Sequence, residues 1–236
     1  MKIVVLDTET CGFEEGSRQL VELSAVCEGE IVFNMLANPG VPIPPQASAV
    51  HHLTDDDVAS APPAADVVGY FAEKLMDLAE DRDWHDEILL VAHNAEYDKG
   101  ILTDYMSDFG EMHWLCTYRC ASHLWPDSPG HSNQVMRYWL KLQPDVNPTL
   151  HAHRALYDVR VTASLLDAML RGYTVSQLVE MQSKPILQTV CRFGKHRGTR
   201  WDEVPTDYLR WMQRQDFDPD TAHTVQTQLA SRARPR

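Results

Sequence analysis

The chain has 236 residues, 44% hydrophobic and 23% charged, with 21 Lys and Arg against 34 Asp and Glu for a formal net charge of −13. These proportions exclude a disordered or collagen-like chain and fit one large domain, or one of about 170 residues with a small appendage. No apolar run reaches the ~18 residues of a bilayer span. The opening MKIVVLDTET has only four consecutive branched apolar residues before Asp7, so neither a signal peptide nor an anchor is expected. Five cysteines, an odd number, suit reduced thiols in a cytoplasmic protein.

The charge is uneven. Residues 1–183 hold 11 Lys and Arg against 28 Asp and Glu, a net −17, whereas residues 184–236 hold 10 against 6, a net +4. An acidic body with a basic end suits a core of metal-binding carboxylates and a segment that meets a polyanion. Charge alone equally allows a solvated acidic surface with an incidental Arg-rich tail.

In chain order, Lys2–Leu6 is a β-branched run ending at an acidic residue, as in a buried strand whose end carries chemistry. Strands at Leu20–Val26 and Ile31–Ala37, joined by Glu28-Gly29-Glu30, complete an antiparallel meander. The Pro-rich stretch 39–45 reads as a loop, and Thr54 with three following aspartates caps a short helix. Helical spacing of Val67, Val68, Phe71, Leu75 and Leu78 predicts a helix over 64–81. Ile88–His93 reads as a buried strand, followed by helices over 95–107, 117–125, 132–141 and 154–171, the last stopped by Gly172. The pattern is α/β with a mixed sheet. The expected organisation is a domain over 1–172, a connector at 173–184, a small α+β segment over 185–231 and a basic tail at 232–236.

Acidic residues gather at three predicted element edges. Asp7 and Glu9, just past the first strand, would share one face if the strand continues, because side chains alternate with a period of two. Two carboxylates so placed are costly without a cation, and hard oxygen donors favour Mg²⁺ or Mn²⁺ over zinc. His93-Asn94-Ala95-Glu96-Tyr97-Asp98 marks a strand-to-helix junction, with Asn94 at the N-cap and Asp98 one turn on. His153 precedes Asp158 by five residues at the start of a long helix. Each pattern is weak alone; their order and context carry the weight.

Asp7, Glu9, Asp98 and Asp158 with His153 resemble the DEDDh branch of the DnaQ-like 3′→5′ exonucleases. DTETCG (7–12), PPQASAVHHLT (44–54), VAHNAEYDKGIL (91–102), CTYRCASHLWP (116–126) and HRALYDVRVTASLL (153–166) are similar to members of that family, as are FGKHRG (193–198) and YLRW (208–211). The resemblance implies a ribonuclease H-like fold with a central five-stranded mixed sheet flanked by helices. It implies hydrolysis of the terminal phosphodiester of DNA to nucleoside monophosphates, in DNA repair or end processing, with two Mg²⁺ per site and Mn²⁺ able to substitute. By similarity Asp7 bridges both ions, Glu9 and Asp158 complete the first site, Asp98 coordinates directly or through water, and His153 is the general base.

Thr8, Thr10, Cys11, Gly12, Phe13, His51 and Asn94 are the expected substrate-binding residues, while His52 is expected at the surface. Phe13 has two readings, an aromatic that stacks on or wedges beside a base and a core aromatic. Glu14 and Glu15 after it would repel phosphate. Asn94 is explained equally by helix capping. His113, Cys116, Cys120 and His123 mimic zinc ligands, yet four ligands from one straight face cannot surround a tetrahedral ion. The expected partners are DNA 3′ ends, single-stranded or frayed, with RNA possible and no membrane. Rival functions are an RNA 3′-end trimmer and a non-catalytic nucleic-acid-binding or polymerase-associated module. Lys195, Arg197 and Arg200, with Phe193 and Trp201 beside them, are the expected DNA-gripping residues of the basic end.

Overall fold

A computed structural model of the chain describes residues 1–12, 18–80, 83–147 and 149–233. It divides into two compact units, Met1–Tyr118 with Asp127–Leu178, and Arg119–Pro126 with Val179–Arg236. Phe13, Glu14 and Glu15 lie outside the described residues.

The first unit is built on a five-stranded sheet of order β3-β2-β1-β4-β5. Strands β1 (Lys2–Thr10), β2 (Leu20–Cys27) and β3 (Glu30–Leu36) form the antiparallel meander. Glu28 and Gly29 both have positive φ, 52° and 84°, the backbone a two-residue hairpin of this hand requires. Helices α1 (Pro45–His51), α2 (Asp55–Val58), α3 (Ala64–Leu78) and α4 (Trp84–Glu87) follow. Strand β4 (Ile88–Ala92) then runs parallel to β1; α5 (Ala95–Tyr105) and α6 (Asp108–Glu111) lead to β5 (His113–Cys116), parallel to β4. Helices α7 (Thr117–Leu124), α8 (Asn133–Trp139), α9 (Ala155–Leu170) and α10 (Val175–Gln182) complete the order to residue 182.

Val4 and Leu6 of β1 enter a core with Phe71 and Leu75 of α3 and Ile101 and Leu102 of α5. Phe71 stacks on Phe109 with centroids 5.9 Å apart. Each such side chain taken from water is worth about 1.5–3 kcal/mol, so this core fixes the register of β1. With Val4 and Leu6 committed to that face, Asp7 and Glu9 point to the other, and α9 packs across β1 and β2.

Several expectations are corrected. β1 continues to Thr10 because residues through Thr10 pair with β2, so Asp7 and Glu9 lie on the strand itself. The stretch 173–184 is no plain connector: most of it is α10. The second unit starts at 179 and reclaims 119–126. Arg119 explains the reassignment, since its guanidinium binds both carboxylate oxygens of Asp220 (2.7 and 3.1 Å) and the carbonyls of Gln182 and Lys184.

The second unit is helical rather than α+β. It has α11 (Thr206–Met212), α12 (Pro219–Ala233), one 3₁₀ turn at Gly194–His196 and an isolated bridge between Val190 and Arg200. Its core holds Cys191, Trp201, Val204, Leu209, Met212 and Val225, with Phe193 packed against them. Arg232 of α12 ties the unit by donating to the carbonyls of Val204, Trp201 and Asp202. Phe193 and Trp201 are therefore packing residues rather than the exposed aromatics expected beside the basic side chains, while Arg200 is exposed and paired with Asp202.

Candidate active site

A cavity of about 380 Å³ opens at the end of β1 and is lined by Asp7, Thr8, Glu9, Thr10, Cys11 and Gly12, together with residues of α1, α8 and the start of α9. The structure brings together every expected site residue it describes except Asn94 and Asp98, which do not line the cavity. Asn94 is the N-cap of α5 but makes no side-chain cap bond; its φ of 75° calls for a residue tolerant of the left-handed region, which explains an asparagine there. Asp98 lies buried behind Thr8, whose backbone N–H (3.0 Å) and hydroxyl (2.7 Å) both donate to Asp98 Oδ1. Those bonds fix the Asp98 carboxylate against β1.

Asp158 enters from the first turn of α9. Its Oδ2 accepts the His153 backbone N–H at 2.7 Å, and its Oδ1 accepts from Gln134 Nε2 at 2.9 Å. His153 itself is exposed and holds φ at 66°, a conformation that costs a non-glycine residue about 1 kcal/mol. The Asp158 bond holds the backbone there. Glu9, His153 and Asp158 each present a ligand atom within 4.8 Å of the others, which makes them a possible metal site.

The electrostatics favour a cation. Burial, then the charges of Asp98, Glu9 and Asp158, holds the Asp7 carboxyl well above the usual range. Glu9 is pushed up to about 9 by burial, then by Asp158 and Glu22. Asp98 is pushed up to about 7 by burial against the pull of the Thr8 bonds, and burial raises Asp158 against the His153 N–H. The nearby Arg154 is engaged by Glu22. The donor set of hard carboxylate oxygens with one imidazole fits divalent cations.

The substrate-side residues divide. Thr10 Oγ1 and Tyr97 OH both lie 2.8 Å from the Gly12 carbonyl, so they fix the turn after β1. Cys11 is a wall residue: it is buried with Val21, Ile43, Ala47 and Leu53, and burial followed by the charge of Asp55 lifts its thiol to about 11. His51, 1% exposed, accepts the Leu53 N–H on Nδ1, which leaves Nε2 as the protonated nitrogen, with no hydrogen-bond partner among the described residues. His52 is exposed, as expected.

The sequence reading missed Asn133 and Gln134. Asn133 Nδ2 donates to the Asp158 carbonyl and to Thr162 Oγ1, and its buried Oδ1 has no partner among the described residues. Their signal was an S-N-Q run opening a helix, which has no motif meaning until α8 and α9 are seen to pack. His93 was read only as part of the junction; it bonds to Thr117 and to the His131 carbonyl, and burial lowers its imidazole to about 4, so it is neutral. The zinc-like residues separate onto β5 (His113, Cys116) and α7 (Cys120, His123).

A sheet of this order, with carboxylates converging at the end of its central strand, defines a class of nucleases. The family model described as "Exonuclease" matches residues 4–166. The chain belongs to the exonuclease family. It is 34% identical over 215 residues to Exodeoxyribonuclease 10 of Escherichia coli (strain K12), covering 88% of this chain and 89% of that protein. It is 32% identical over 178 residues to PolC-type DNA polymerase III of Bacillus subtilis, covering 71% of this chain and 11% of the polymerase. The structure of Exonuclease X in complex with 5′ overhanging duplex DNA is similar, with a TM-score of 0.59 and 33% identity over 76% of this chain and 99% of that one. Exonuclease I matches in fold, with a TM-score of 0.60 at 11% identity over 94% of this chain and 61% of that one. The fold is ribonuclease H-like. No helix among the described residues is long and apolar enough to cross a membrane.

Proposed function

We infer that the protein is a metal-dependent 3′→5′ exodeoxyribonuclease that releases nucleoside monophosphates from DNA ends, in repair or end processing. The observation that supports this most is the convergence of Asp7, Glu9, Asp158 and His153 on one cavity, with Asp98 held behind them by Thr8. The likeness to a chain named as an exodeoxyribonuclease, over most of both lengths, favours DNA over RNA.

Asp7, Glu9, Asp98 and Asp158 would hold two Mg²⁺, with Mn²⁺ able to substitute. Bound cations would activate water and stabilise the leaving 3′ oxygen. The protein's own part is positional. His153, exposed at the cavity rim, takes the proton of the attacking water, while Asp158 holds its backbone in place. Gln134 and the His153 N–H each occupy one oxygen of Asp158, which fixes the carboxylate plane. His51 donates from Nε2 to a polar atom of the terminal nucleotide, and Cys11 with Ala47 walls its apolar side. All five cysteines are free and buried, which supports a reducing cytoplasm.

End-labelled DNA and RNA incubated with Mg²⁺, Mn²⁺ or EDTA test the reading. DNA shortened only with metal, and faster than RNA, is expected. Preference for RNA would transfer the assignment to an RNA trimmer, and binding without cleavage to a non-catalytic module.

A further inference from the structure

We propose that the second unit carries a single-stranded DNA platform of its own, built on the aromatic run His196–Tyr208–Trp211 and four unpaired basic side chains. The proposal rests on the nuclease reading for its ligand class and adds a site outside the catalytic cavity.

The run is continuous. The His196 and Tyr208 rings lie 4.5 Å apart edge to face, and Tyr208 and Trp211 lie 5.2 Å apart at 37°. Gly194 makes the first contact possible: with φ at 62°, a Cβ there would stand 2.9 Å from Tyr208 Oη. The 3₁₀ turn of the FGKHRG stretch is thereby seated on α11, and His196 meets Tyr208. Trp211, at the end of the run, is 49% exposed, whereas Trp201 is 1% exposed. Leu209 and Met212 take the packed side of α11, and Trp211 with Arg210 lies on its exposed side, where the indole is open to stacking.

The cations around it are of two kinds. Arg119, Arg200 and Arg232 are held by Asp220, by Asp202 and by backbone carbonyls. Lys195, Arg197, Arg210 and Arg214 are exposed and make no ion pair among the described residues. They flank the aromatics in sequence, Lys195 and Arg197 around His196, Arg210 beside Trp211, and Arg214 one turn further on. Asp207 is the only carboxylate on α11 itself. Aromatic faces interleaved with free cations suit a flexible phosphate strand with unstacked bases: the rings accept any base and the cations its backbone. Away from its ends a duplex offers no open base face to Trp211, which favours single strands.

The test uses the full chain with Ca²⁺ in place of Mg²⁺ to suppress cleavage. Binding of a long oligothymidylate is measured over a range of salt for wild type, Trp211→Ala, Trp211→Phe and the double variant Arg210→Ala/Arg214→Ala. Mg²⁺-dependent turnover of a tetrathymidylate is measured beside it, and melting curves verify the fold. Trp211→Ala should weaken long-strand binding at least about fivefold, since each stacked base contributes roughly 1–3 kcal/mol, while Trp211→Phe stays near wild type. The double variant should flatten the log–log salt slope by about 1.4. Tetramer turnover should not change in any folded variant. Equal long-strand affinity and slope in Trp211→Ala and the double variant would overturn the platform. A wild type that never cuts the tetramer, with long-strand binding still dependent on Trp211, would sink the nuclease reading and keep the platform.

Discussion

Glu22 of β2 holds Arg154, the residue next to His153, through two hydrogen bonds: Arg154 Nε to Oε2 at 3.0 Å and Nη2 to Oε1 at 2.7 Å. Glu22 Oε2 also accepts the Ala155 N–H at 2.9 Å, so one buried carboxylate caps α9 and aims the loop that carries His153. Glu22 lies directly across from Glu9 in the β1–β2 register. Without Arg154 it would add a bare charge to the acidic cluster.

Arg154→Met should therefore destabilise the fold by about 3 kcal/mol, the usual cost of stranding one member of a buried pair. Turnover should fall as well, because His153 loses its anchored neighbour. Denaturant unfolding checks the first effect, and turnover at saturating metal checks the second. Unchanged stability and rate would show that the Glu22–Arg154 pair supports neither the fold nor the placement of His153.

His153→Ala should lower turnover by ~10²–10⁴-fold, the usual loss for a general base. The metal titration midpoint should move far less, because the carboxylates remain. A variant that keeps its rate at saturating metal but binds metal poorly would make His153 a ligand instead.

His51→Phe removes the Nε2 donor and keeps an aromatic ring. KM for short DNA should rise about fivefold to tenfold, the worth of one hydrogen bond, with kcat little changed. A loss confined to kcat would place His51 in the chemistry instead of substrate binding.

The metal-free protein has a signed pH dependence. Asp7, Glu9, Asp98 and Asp158 all have carboxyls raised above their unfolded range, two of them to about 9 and about 7. The folded state therefore holds protons the unfolded state releases. That contribution is complete below about pH 4 and is lost as pH rises toward 9. In EDTA, the melting temperature should fall between about pH 5 and pH 9, and Mg²⁺ should restore it most at the alkaline end. A profile that is flat in EDTA, or one that Mg²⁺ does not move, would contradict the clustering.

Much of this site was legible because its residues sit at element junctions that sequence marks clearly. The run Ile3–Leu6 announced β1, the paired Asp7 and Glu9 its functional face, and Gly172 the stop after α9. Short elements without a capping signal like that of Thr54 at α2 were not legible: β5 and α4 have four residues each, and α1 begins at Pro45, the last residue of a Pro-rich stretch. The end of β1 was placed early because Asp and Glu disfavour strands, and pairing with β2 overrides that preference. Asn133 and Gln134 were invisible because they matter through α9, not through their own neighbours. In the second unit, an Arg119–Asp220 pair spanning 101 positions defeats any boundary drawn along the chain. Cutting at 184 would remove Asp220 from Arg119, so point substitutions probe the basic end better than truncation.

A time course on a 5′-labelled single-stranded oligodeoxynucleotide, with the wild type and Asp7→Ala side by side in Mg²⁺, decides whether the acidic cavity is a 3′→5′ exonuclease site. The wild type should shorten the strand one nucleotide at a time while the 5′ label stays on the shrinking product. Asp7→Ala, folded by its melting curve, should leave the strand intact. Early release of the label as a mononucleotide, internal cuts, or wild-type shortening by Asp7→Ala would rule out 3′→5′ exonuclease action at this site.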